Sequence, residues 1–136
     1  MDTKEGHLEI INASKIYDPE GGNVLAVDNC SFEIQAGEFV AIVGPSGCGK
    51  TTLLNMTAGF EDISKGEIRM DGQVIAAPGR APRPGADRVV VFQAGALFDW
   101  MTVRQNIMFG PLTTGAMSAA QADARAMELI RMAGLK

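Results

Sequence analysis

Gly44-Pro45-Ser46-Gly47-Cys48-Gly49-Lys50-Thr51 matches the pattern G-x-x-x-x-G-K-[ST] at every fixed position, and no other stretch restricts the fold as tightly. Its chemistry follows from its residue types. Glycines let the backbone curl until successive N–H groups converge on one anion, with no Cβ in the way. A helix starting just after the loop points its positive end at the same anion. Lys50 brings a mobile ammonium to the outer phosphates, and the Thr51 hydroxyl is placed to ligate Mg²⁺. Pro45 has no N–H, so it shapes the loop and donates nothing. The flanks supply the required context. Phe39-Val40-Ala41-Ile42-Val43 is continuously apolar, as a strand covered on both faces would be. The helix expected from about Gly49 offers Leu53, Leu54 and Met56 for packing.

The rest of the chain divides by pattern. Leu8–Tyr17 reads as an irregularly alternating strand, and the turn formers Asp18-Pro19-Glu20-Gly21-Gly22-Asn23 lead to a short strand at Val24–Val27. Ser31–Gln35 alternates polar with apolar as a half-buried strand, and Ala36-Gly37-Glu38 turns the chain. These short, hairpin-linked pieces predict an antiparallel sheet ahead of the loop. Glu67–Met70 and Gln73–Ile75, joined by Asp71-Gly72, predict another hairpin. Residues 76–87 read as a loop, and Arg88–Phe92 as a second central strand. A new helix is expected from Trp100. Ser118-Ala119-Ala120-Gln121 has the form of a capping box, with Ala120, Ala124, Met127 and Ile130 at helical spacing and Gly134 as the C-terminal cap.

Composition narrows the class. Hydrophobic residues at 46% and charged residues at 21% exclude a disordered or fibrous chain. No apolar run approaches the ~18 residues of a membrane-spanning helix. Met1–His7 shows no secretory pattern, so the cytosol is the expected compartment. The net charge of −4 argues against nucleic acid as a partner. Arg80, Arg83 and Arg88 read as a solvated loop and strand start. Cys30 and Cys48 fit no zinc or redox spacing and are expected as free thiols. By length, 136 residues predict one domain.

Three features together resemble the nucleotide-binding subunit of ATP-binding-cassette (ABC) transporters: Ser14-Lys15-Ile16-Tyr17, the loop Gly44–Thr52, and Val90-Val91-Phe92-Gln93. The resemblance implies a P-loop NTPase core with an N-terminal antiparallel β-subdomain, binding ATP and Mg²⁺. It implies nucleotide contacts at Tyr17, Gly44, Ser46, Gly47, Cys48, Gly49, Lys50, Thr51 and Thr52. Tyr17 would stack on adenine, since a flat ring offers apolar area without demanding particular hydrogen bonds. Lys50 and Gln93 would be catalytic, and Thr51 and Gln93 would touch the metal. The stretch from Pro84 to Ile107 is similar to the subfamily importing nitrate, sulfonate, taurine and related anions, although Gly95 and Asp99 stand where prolines are common. The implied partners are a membrane-spanning permease, contacting the region from Gln93 to Met101, and a second ATP-binding subunit. The implied location is the cytoplasmic face of the membrane.

Leu97, Phe98, Trp100 and Met101 divide between core packing and a groove for a permease helix. The family's other motifs are not in the sequence. No Leu-Ser-Gly-Gly-Gln occurs, no apolar strand ends in Asp-Glu, and His7 cannot stand in for the switch histidine. Asp99, Asp123 and Glu128 are the only acids after Gln93, and none closes a strand-like run. The expectation is therefore that residues 1–136 are the N-terminal portion of such a domain, with apolar surface exposed around 39–43 and 88–92. A small P-loop kinase, or a non-catalytic module that binds the permease, are the alternatives.

Overall fold

The structure is a computed structural model that describes residues 5–18 and 21–135. Pro19 and Glu20, in the expected turn before Asn23, lie outside the described residues. The chain divides into two compact units, Met1–Val90 and Val91–Lys136.

The first unit is built on a four-stranded antiparallel sheet in the order β2-β1-β3-β4. Its strands are β1 (Leu8–Tyr17), β2 (Val24–Ile34), β3 (Lys65–Met70) and β4 (Gln73–Ala76). The two short strands expected at 24–27 and 31–35 are thus one strand. Asn29, at φ 46°, absorbs the break in alternation between them without ending the pairing. Asn12 does the same in β1 at φ 49°, where its N–H donates to Ser31 Oγ at 2.8 Å. The resulting register shift between Ile10 and Ala13 turns both into the core although they are three residues apart.

α1 (Lys50–Ala58) packs Leu53 and Met56 against Ile10, Ala13, Ile63, Ile68 and Ala76. Leu54 was expected among them and is instead 57% exposed. It neighbours a core residue in sequence but falls on the far side of the helix. Two backbone crossings beyond α1 require glycine. A Cβ on Gly59 would meet Arg83 O at 2.2 Å, and one on Gly66 would meet Asn12 O at 2.2 Å.

Neither apolar run forms a strand. Residues 39–43 and 88–92 are irregular, with Phe39, Val43, Val89 and Val91 each exposed by 88% or more. The strand assignment fails because a parallel strand exists only by pairing with neighbours, and the described sheet comprises β1–β4 alone. The expected exposure of apolar surface does occur. A run such as Val89-Val90-Val91-Phe92 has high β-propensity and no charge, the composition of self-associating segments. The chain is therefore expected to bind a hydrophobic-surface dye and to sediment as oligomers at micromolar concentration. A Val89→Lys, Val91→Lys double variant should lose most of both signals, with a melting temperature within a few degrees. Unchanged dye binding in that variant would show that this run is not the exposed surface responsible.

The second unit pairs α2 (Val103–Thr113) with α3 (Ala119–Met132). Both begin with full capping boxes, Thr102/Gln105 and Ser118/Gln121, so each uses its own side chains to satisfy first-turn N–H groups. α2 starts at Val103 rather than Trp100 because Thr102 is the capping residue. α3 ends as expected: with Gly134 at φ 70°, its N–H donates to Arg131 O and Leu135 N–H to Ile130 O, a Schellman closure. The buried face of α3 is Ala122 and Ala126, not Ala120 and Ala124, which are exposed. In so alanine-rich a helix, contact with α2 decides the face; the Arg104–Asp123 ion pair bridges the two helices.

Candidate functional site

The loop between Val43 and α1 is shaped by its glycines. Gly47 (φ 80°) and Gly49 (φ 90°) both occupy the left-handed region, where L-side chains are strained. Gly49 is also the residue that caps α1, and a Cβ there would lie 2.3 Å from Ala26 O. The loop is therefore pressed against β2 at a point only glycine allows. No side chain caps the helix and no acid occupies its first turn, so the leading N–H groups and the positive helix end keep their attraction for an anion.

Lys50 folds back across this loop. Its ammonium donates to Gly44 O at 2.8 Å and Pro45 O at 2.6 Å, with Cys48 Sγ at 3.5 Å. A cleft of about 510 Å³ opens beside it, lined by Leu25–Asp28 and Cys30 of β2, Ile42 and Val43, Gly47–Lys50, and Leu53. A smaller recess of about 160 Å³ is lined by Ala26, Gly47, Gly49, Lys50, Thr51 and Thr52. Gly47, Cys48, Gly49 and Lys50 thus share the main cleft, whereas Thr51 and Thr52 face the recess. Gly44 contributes its carbonyl to Lys50, and Ser46 stands exposed in the turn. Both thiols are free, and both line the cleft.

Tyr17 does not line the cleft. It closes β1 opposite Val24, beside Leu25 and Ala26, which do line it. Its ring lies under Lys15 Nζ, 4.7 Å from the centroid, and its hydroxyl donates to Glu61 Oε2 at 3.2 Å. Lys15 is a buried cation that sequence reasoning missed; its ammonium is 2.7 Å from Glu61 Oε1 and also bonded to Asp62. Burial disfavours the Lys15 charge, but hydrogen bonds to Asp62 and Glu61 and their charges outweigh it, so its pKa lies above the usual 10.5. The hydrogen bond from Lys15, against opposing burial, holds Asp62 below its usual 3.8.

A raised lysine pKa stabilises the fold below the unfolded value and loses that effect as pH rises through the folded one. A depressed carboxylate stabilises above its unfolded value and loses the effect as pH falls through the folded one. The melting-temperature gap between the native chain and Lys15→Met should therefore be flat from about pH 5 to 9. It should shift against the native chain below pH 3.8 and above pH 10.5, whichever of the two melts higher at neutral pH. A gap unchanged at pH 3 would remove Asp62 from the account.

The second unit holds Gln93, which is exposed and irregular. It also holds a groove of about 400 Å³ lined by Trp100, Met101, Gln105, Met108, Phe109, Leu112 and Thr113. Phe98 anchors its aromatic wall, 5.3 Å from Trp100 and 4.6 Å from Phe109 between centroids. Phe98 and Met101 are half-buried, whereas Trp100 is 78% and Leu97 65% exposed. The arginines of this unit are engaged locally: Arg104 with Asp123, Arg125 with Glu128 at 2.6 Å, and Arg131 on Met127 O at 3.1 Å. That leaves little for the mobile arginine lid a small kinase would need. In the first unit Arg88 is not the solvated residue expected. Its side chain is 11% exposed and donates to Arg83 O at 3.1 Å, while Nε and Nη1 are buried without a hydrogen-bond partner.

Residues 27–136 match the family model described as ABC transporter. The chain belongs to the ABC transporter family. The taurine import ATP-binding protein TauB of Jannaschia sp. (strain CCS1) is 43% identical over 130 residues, which is 95% of this chain and 46% of that protein. The nitrate import ATP-binding protein NrtD of Synechocystis sp. (strain ATCC 27184 / PCC 6803 / Kazusa) is 44% identical over 117 residues, 86% of this chain and 42% of that one. The spermidine/putrescine import ATP-binding protein PotA of Pseudomonas aeruginosa (strain UCBPP-PA14) is 44% identical over 124 residues, 91% of this chain and 32% of that one. This ABC chain thus spans less than half the length of these curated relatives. A solved dimer of the ATP-binding cassette MJ0796 in a post-hydrolysis state, bound to ADP and Pi, superposes with a TM-score of 0.74. It is 28% identical, with 95% of this chain and 58% of that one covered. The fold is a partial ABC ATPase fold. Among the described residues, no helix of this ABC chain is long and apolar enough to cross a membrane.

Proposed function

We propose that this chain is the ATP-binding portion of an ABC importer subunit, the N-terminal part of its nucleotide-binding domain, taking MgATP on the loop Gly44–Thr52. The observation that carries the reading is the Lys50 ammonium held across a glycine loop at an uncapped helix start. A polyphosphate entering there exchanges the carbonyls of Gly44 and Pro45 for stronger, charge-assisted partners of Lys50. Gly47 and Gly49 keep the loop open to its backbone, Thr51 offers a hydroxyl to the substrate's Mg²⁺, and Tyr17 stacks the base. The donor this loop offers that ion is the neutral hydroxyl of Thr51, so the nucleotide phosphates would supply most of its charge partners. Among the described residues, no cluster of three acids, histidines or cysteines is arranged to hold a metal by itself.

Turnover in the whole protein is proposed to pair two such subunits, each closing on the other's loop, with Gln93 reporting to a membrane permease. The groove from Trp100 to Thr113 is proposed to receive a permease helix, its exposed Trp100 and flexible Met101 and Met108 acting as anchors. That arrangement makes the protein peripheral at the cytoplasmic face. Small-anion import is supported by the taurine and nitrate importers among the relatives. The polyamine importer matches at similar identity, so these residues do not by themselves single out one cargo.

Titration calorimetry of residues 1–136 with MgATP tests the reading. Saturable binding is expected, with ATP turnover far below that of a full cassette, since no acid after Gln93 closes an apolar strand. Absence of nucleotide binding at millimolar MgATP would overturn it, as would robust hydrolysis that Lys50→Ala leaves intact.

A further inference from the structure

We propose that Lys15 and Glu61 are positioning residues for the Tyr17 ring, fixing the plane on which an adenine base lands; this rests on the reading of Tyr17 as the base-stacking aromatic. The three side chains form a closed set. One oxygen of Glu61 accepts from Lys15 at 2.7 Å and the other from the Tyr17 hydroxyl at 3.2 Å. The Lys15 ammonium completes the set over the ring face. Both torsions of the tyrosine side chain are thereby held, one through the hydroxyl and one through the cation on its face. The occupied face leaves stacking to the opposite one.

The backbone aims these groups as deliberately as it aims the loop. α1 begins at Lys50 and ends at Ala58, and the left-handed conformation of its cap Gly59 lets Phe60 N–H and Glu61 N–H both donate to Asn55 O. A single nine-residue helix therefore carries the phosphate-binding lysine at one end and the carboxylate holding Tyr17 just beyond the other. Stability alone does not account for the arrangement. The Lys15 side chain is only 6% exposed although that of Glu61 is 28% exposed and that of Asp62 58%, and an ion pair that buries one charge is often no more stabilising than apolar packing of similar volume. Orientation of a ring at a strand end is something apolar packing would not give.

Tyr17 is the only tyrosine, so protein labelled with ¹³C-tyrosine gives one set of ring signals. MgATP is expected to shift them, whereas inorganic tripolyphosphate with Mg²⁺ binds the loop without shifting them. Lys15→Met, Glu61→Gln and Tyr17→Phe should each weaken MgATP by about two- to tenfold, the range for losing one pre-ordered side chain. Tripolyphosphate affinity should stay constant, and in Lys15→Met and Glu61→Gln the ATP-induced shift should shrink. If Tyr17→Ala leaves MgATP affinity unchanged, the base-stacking reading itself fails. If Tyr17→Ala weakens MgATP while the other three variants keep native affinity, the positioning role fails alone. A parallel loss of tripolyphosphate binding would assign Lys15 and Glu61 to the fold instead. Should Lys15→Met not fold, Tyr17→Phe, which deletes one hydroxyl, and Glu61→Gln decide the matter.

Discussion

Lys50→Ala is expected to weaken MgATP binding by about 10- to 100-fold while moving the melting temperature by no more than about 2 °C. The first figure follows from the net loss of one hydrogen bond to a charged group, at about 1.5–3 kcal/mol, with about 1.4 kcal/mol per decade of affinity. The second follows from where the ammonium sits in the free protein. Its partners, the carbonyls of Gly44 and Pro45, belong to exposed residues, so water replaces the lysine when it is removed. Calorimetric titration of the variant beside a thermal melt separates the two effects. Lys50→Arg should recover only part of the affinity, because a planar guanidinium cannot follow the path of a thin ammonium around the loop. Native affinity in Lys50→Ala would put the nucleotide elsewhere on the molecule.

The second large effect is expected from Gly49→Ala, compared with Gly47→Ala. Both glycines have φ near 80–90°, so both alanines incur the left-handed strain of about 1–2 kcal/mol. Only Gly49 faces an obstacle. Nothing lies within 4 Å of a Cβ at Gly47, whereas at Gly49 the new carbon would meet Ala26 O at 2.3 Å. Both colliding atoms are anchored to backbone, so no rotamer relieves the contact and loop and strand must separate. Gly47→Ala should lower the melting temperature by several degrees, using about 4–8 °C per kcal/mol for a unit of this size. Gly49→Ala should cost at least about 3 kcal/mol in total and should also abolish MgATP binding, because Ala26 and Gly49 line both the cleft and the recess. Equal melting temperatures for the two variants would contradict the close approach of loop and β2.

Local signals account for what was legible in advance. The boundaries of β1, the hairpin at Asp71-Gly72, the start of α1 and both ends of α3 are each written in a few adjacent residues. Capping boxes, a tight turn and a glycine cap act over one turn of chain, so the sequence displays them directly. What could not be read depends on partners distant in sequence. The runs 39–43 and 88–92 carry strand composition, yet composition supplies no pairing neighbour. The choice of Ala122 and Ala126 over Ala120 and Ala124 was made by α2, on a helix whose faces differ little in size. Lys15 looked like one polar position in a strand; only the bulge at Asn12 and the chain reversal at Gly59 bring it to Glu61 and Asp62. Of the cleft, the loop side was legible from its motif. Leu25–Asp28 gave no chemical signal, and their place follows from Gly49 resting on Ala26.

On the proposed reading, the two carbonyl contacts of Lys50 would make the loop a selective receptor rather than a generally sticky one. The ammonium already has two carbonyl oxygens, an intramolecular stand-in for the anion, and any incoming group has to compete with them. A singly charged ion such as chloride offers one weak contact in exchange for two good ones and gains nothing. A chain of phosphates offers several charged oxygens at once, to the cation and to the helix start together, and wins the exchange. If the loop takes nucleotide as proposed, discrimination by charge multiplicity would be set by the position of this one side chain, favouring polyphosphate over the monovalent anions of physiological salt.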